Sequence, residues 1–72
     1  MIRKLDNVVL TVDLPEHQLK KGDVGTVVLL HGSSGYEVEF MTLGGSTLVV
    51  VSLSQDQVRT VGSREIAQAR AI

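Results

Sequence analysis

The stretch LKKGDVGTVV, Leu19 to Val28, sets two glycines three residues apart around an aspartate and then runs into β-branched residues. A Walker-type phosphate loop needs four residues between its glycines and then Lys-Ser/Thr before a helix. A dinucleotide loop needs Gly-x-Gly-x-x-Gly between a strand and a helix. Gly22 and Gly25 satisfy neither, and they lead into a strand rather than a helix. The stretch reads instead as the hinge of a small β-structure. Gly22-Asp23 forms a turn, with Asp23 bonding the backbone two residues on. Gly25 sits where the strand must curve.

Working outward, the chain has 72 residues, twelve of them valine, with Tyr36 and Phe40 as its only aromatics. Valine suits a pleated strand and loses rotamer freedom in a helix, so the composition points to an all-β domain. A chain of this length holds one core and buries only about 60% of its unfolded surface. With no cysteine there is no disulfide framework and no Cys-ligated metal site. The apolar run VVLTV is far too short for a signal-peptide core or a membrane span, which predicts a cytoplasmic protein and no membrane partner. The net charge is −1. Arg3, Lys4, Lys20 and Lys21 are offset by Asp13, Glu16, Glu37 and Glu39, so composition does not favour a nucleic-acid partner.

NVVLTV (Asn7 to Val12) reads as a first strand, ended by Asp13-Leu14-Pro15 because proline has no N–H to donate. A long loop comes next, anchored by Leu14 and Leu19. Strand two runs from Val24 to His31, and GSSG (Gly32 to Gly35) makes a hairpin turn. In strand three, YEVEFMT, Tyr36, Val38 and Phe40 share one face and Glu37 and Glu39 the other. Gly44-Gly45 marks a tight reversal into strand four, STLVVVSL. Ser54 to Gln57 fits a Ser-x-x-Gln capping pattern and predicts one short helical turn before the fifth strand, Val58 to Val61. The predicted fold is a small five-stranded SH3-like barrel over residues 1–61, with residues 62–72 as either a short docked helix or a frayed tail.

The candidate chemistry is thin. His17 and His31 lack metal-ligand spacing and read as solvated loop residues, so neither a metal nor a cofactor is expected. Ser33 or Ser34 with His31 as base lacks the third group and oxyanion hole that a nucleophile needs, and no enzymatic activity is expected. Glu37 and Glu39 form an acidic strip, paired across the sheet to Lys20 or Lys21 or presented to a basic partner. The runs TVVLL and LVVVSL are apolar on both faces. Either the long loop and the C-terminal segment cover the outward side chains, or they form an exposed interface patch.

LDNVVLTVDLPEHQLKKGDVGTVV, succeeded by YEVEF and then SLSQDQV, resembles a family of small bacterial proteins, the domain of unknown function 4926. The resemblance covers roughly Leu5 to Val61 and implies an SH3-like barrel with no established activity. GDVGTVV is also similar to the glycine-containing strand of KOW-type RNA- and ribosome-associated barrels, and to barrels that serve as enzyme and electron-transfer subunits. Kinship of fold does not transfer function.

Two functions are therefore expected from the sequence. The first is a non-catalytic protein-interaction module, engaging a second copy or a neighbouring gene product as its antitoxin, immunity or accessory partner. Lys20, Lys21, Tyr36, Glu37 and Glu39 are its candidate contacts. The alternative is a KOW-like RNA- or ribosome-associated barrel, with Arg3, Lys4, Lys20 and Lys21 on phosphates and Tyr36 stacking on a base.

Overall fold

The structure, a computed structural model, describes residues 1–32 and 34–72. Five strands form: β1 (Asn7–Leu10), β2 (Val24–His31), β3 (Gly35–Met41), β4 (Thr47–Ser54) and β5 (Val58–Thr60). Three-residue 3-10 turns occupy Pro15–His17 and Gln55–Gln57. All five strands lie in one antiparallel sheet in the order β4-β3-β2-β1-β5.

That order forces the sheet to curl. Four strand spacings of about 4.8 Å would hold the edges of a flat sheet roughly 19 Å apart. Yet the 3-10 turn alone carries the chain from β4 at one edge to β5 at the other, and such a turn rises only about 2 Å per residue. The ring stops short of closure, because β4 and β5 are not paired with each other. The strands and their antiparallel pairing agree with the sequence; a closed barrel is not formed.

β2 makes the curl possible. It pairs with β1 through Val24, Gly25 and Thr26 and with β3 from Thr26 onward. The register with β3 slips between Val27 and Leu29, leaving Val28 as an extra residue, and such a bulge bends a strand and raises its twist. A second slip, between Phe40 and Met41 against β4, leaves Leu48 extra.

The concave side holds the core. Val8, Leu10, Leu14, Leu19, Val27, Val38, Phe40, Val51, Leu53 and Val58 form one buried cluster, drawn from all five strands and the β1–β2 loop. Each such side chain gains roughly 1.5–3 kcal/mol by leaving water. Leu14 and Leu19 pin that loop as expected: they exchange backbone hydrogen bonds at 2.9 and 3.1 Å and are 7% and 3% exposed. β1 ends at Leu10 rather than Val12 because the Thr11 N–H turns to the Gln57 carbonyl, at 2.9 Å.

Residues 62–72 form no helix. Ile66, which a docked helix would bury, is 94% exposed, so a helix this short has nothing to stabilise it. The tail does not hang free either. Arg59 of β5 grips Glu65 through two hydrogen bonds at 2.8 and 2.7 Å, and Arg70 reaches Asp23 just before β2. Val9 of β1 lies between the strands that carry these fasteners, with Arg59 and Val24 as its neighbours across the sheet. Val9 faces away from the core cluster and is still only 5% exposed.

Candidate functional site

The hinge glycines have distinct physical causes. Lys20 to Asp23 forms a turn closed by Asp23 N–H to the Lys20 carbonyl at 2.9 Å, with Gly22 at φ +97 in its third position. That conformation favours glycine. Asp23 does not bond forward along the chain; its carboxylate accepts the Lys20 N–H, three residues back, at 2.8 Å. Gly25 has an ordinary φ but faces Phe40 and Val38 across the sheet. A Cβ there would lie 2.5 Å from Val38 Cγ1 and 3.0 Å from the Glu39 carbonyl oxygen. The curl thus depends on the missing side chain. At the β3–β4 hairpin Gly45 takes φ +98, and its N–H bonds the Thr42 carbonyl at 3.0 Å, with Gly44 beside it.

The candidate contact residues do not converge on one patch. Arg3 and Lys4 precede β1, whereas Lys20 and Lys21 flank its far end, where Gly22 N–H meets the Leu10 carbonyl. Tyr36 lies opposite Leu30 and Leu53 and packs half-buried against the core. About 20 Å of strand separates that level of β2 from Lys20 and Lys21. Lys20 and Lys21 pair with neither glutamate: the ion pairs among the described residues are His31–Glu37, Arg59–Glu65 and Arg70–Asp23.

Glu37 and Glu39 do share the convex face, and both are engaged there. Glu37 Oε2 accepts the Ser52 hydroxyl from β4 and lies 2.5 Å from His31 Nε2. Glu39 Oε2 accepts the Thr47 hydroxyl at 2.6 Å. The Ser52 hydrogen bond, with His31 adding to it, holds the Glu37 carboxyl below its ordinary range. His31 is thus a strand-end residue bound to a carboxylate rather than a free loop histidine. Ser52 donates its proton to the same carboxylate oxygen that His31 Nε2 approaches. Ser33, a nucleophile candidate and part of the predicted GSSG turn, lies outside the described residues.

Apolar side chains surround these two carboxylates. Leu29 lies opposite Glu37, Val50 opposite Glu39 and Met41 opposite Thr47, each about half exposed. Leu48, the extra residue of the second bulge, is 43% exposed. Beyond them runs β4, eight residues long and paired on one side only. The outward apolar side chains of β2, β3 and β4 are therefore left exposed. Alternation groups Leu29 with Val27, which is buried, and does not say which face of either strand is outward; the bulge at Val28 turns Leu29 to the exposed side.

Among the described residues no group of three or more His, Cys, Asp or Glu side chains is placed to hold a metal ion. Among the same residues, no helix is long and apolar enough to cross a membrane. No curated protein and no solved structure matches the chain. Residues 4–60, which span every strand and both 3-10 turns, match the family model for the domain of unknown function DUF4926, and the chain belongs to that family.

Proposed function

We propose that this chain is a non-catalytic protein-interaction module of the bacterial cytoplasm, docking an extended apolar segment of a partner protein along β4 and over the adjoining convex face. One observation carries this reading: Leu29, Met41, Leu48 and Val50 stand half exposed beside a strand edge with no neighbour among the described residues. An open edge offers backbone hydrogen bonds, and flanking apolar side chains supply specificity, which is how strand addition recognises peptides. Glu37 and Glu39 add an acidic margin suited to a basic residue on the partner. A domain of this size suits an accessory or immunity subunit for a neighbouring gene product.

The test is affinity capture of the tagged chain from its source cells after nuclease treatment, alongside V50D and K20E/K21E. A stoichiometric protein retained by wild type and K20E/K21E but lost by V50D supports the reading. Capture of a second copy alone, with the same dependence on Val50, makes the module self-associating. RNA-dependent capture that weakens steeply between about 50 and 200 mM salt and fails in K20E/K21E replaces it with the nucleic-acid reading.

A further inference from the structure

The β1–β2 loop and the end of the tail meet across an open cleft of about 600 Å3, lined among others by Pro15, Leu19, Arg70 and Ile72. The loop side is organised by its own bonds. Gly22 N–H reaches the Leu10 carbonyl at 2.9 Å, Leu14 and Leu19 bridge each other, and Lys20 N–H fixes the Asp23 carboxylate. Gln18 closes the first 3-10 turn in the left-handed conformation. Into this corner Arg70 inserts its guanidinium. Nε donates to Asp23 Oδ1 at 2.8 Å, and Nη2 donates to Asp23 Oδ2 at 2.5 Å and to the Gln18 carbonyl at 2.9 Å. Two parallel bonds to a carboxylate plus a third to a carbonyl read arginine specifically, since lysine lacks the planar fork.

The loop corner and its occupant differ in standing. Asp23 and Gln18 lie within the family-matched residues, and the tail lies beyond them. Every residue from Val61 to Ile72 is exposed, so little besides the two arginine contacts fastens the tail. We infer that the Asp23–Gln18 corner is an arginine-recognition site for an extended segment of a partner protein, with an aliphatic side chain two residues after the arginine. Arg70-Ala71-Ile72 is its intramolecular occupant. The site lies on the β1–β2 loop, away from β4, and does not rest on the function proposed above. A tether of about ten residues presents Arg70 at roughly millimolar effective concentration, so the tail shields the site from weak competitors.

The test titrates a fluorescent peptide of residues 62–72 into full-length wild type and R70Q, with near-ultraviolet circular dichroism confirming that both are folded. R70Q is expected to bind the peptide at least about tenfold more tightly than wild type, because its own competitor is gone. The same peptide carrying Arg70→Gln, which leaves the protein untouched, is expected not to bind. Equal binding of both peptides to R70Q, or no gain over wild type, overturns the proposal. A wild-type dimer that R70Q dissolves places Arg70 on a second copy and overturns the intramolecular occupancy.

Discussion

β3 carries two different chemistries on its two faces. Inward, Val38 is fully buried and Phe40 is 2% exposed, both packed beneath Gly25. Outward, Glu37 and Glu39 are tied to hydroxyls and a histidine, and Met41 stands in solvent. The inner face is explained by folding alone. The outer face is not, since Leu29, Val50 and Met41 expose apolar surface that the core does not use. That apolar surface is what the proposed partner would cover.

The two faces are expected to respond unequally to substitution. Phe40→Ala should cost about 3–5 kcal/mol, a large share of the roughly 4–11 kcal/mol available to a domain of this size. A large drop in the urea midpoint checks it. Gly25→Ala should cost about 1–3 kcal/mol, because the new methyl meets Val38 and the unyielding Glu39 carbonyl. An unchanged midpoint there would show that the curl does not depend on that close approach. On the outer face, Val50→Asp, which faces Glu39 across the sheet, should cost about 1 kcal/mol and Leu29→Ser no more than about 0.5 kcal/mol, while both abolish partner capture.

A smaller effect separates the surface contacts from the core by pH. Arg59, with the Gly62 N–H assisting, lowers the Glu65 carboxyl from an ordinary 4.5 to about 2. Arg70 lowers that of Asp23 against a smaller push upward from burial, with the Lys20 N–H assisting. Depressed carboxyls bind fewer protons folded than unfolded, so their stabilisation is complete above the unfolded values and fades as pH falls through the folded ones. Stability should therefore decline from about pH 4.5 toward pH 2, and E65Q should flatten part of that decline in acid-dependent urea melts.

Much of this architecture is legible in the sequence because it rests on local rules. Valine-rich alternation marks the strands, Ser54 and Gln57 announce the capped turn, and Gly22 and Gly45 mark positive φ. Leu14 and Leu19 are readable as anchors because isolated apolar residues in a polar loop have one place to go. The candidate sites are less legible because they depend on distant partners. Arg70 meets Asp23 across 47 positions, and no periodicity connects them. Glu37 meets His31 through the register of the β2–β3 hairpin, and Ser52 through a β3–β4 register that includes the bulge at Leu48. Gly25 reads as a bend, but the reason for it lies in Val38 and Phe40 on another strand.

If the convex β4 side, not the basic loop, meets the partner, the two places should crosslink differently. Site-specific photocrosslinkers at Val50 and, separately, at Lys21 test this in intact source cells. A discrete protein adduct from Val50 is the expected outcome, with little from Lys21, because Arg70 of the same chain already fills the neighbouring Asp23 corner. Adducts to RNA from Lys21, with none from Val50, would refute it.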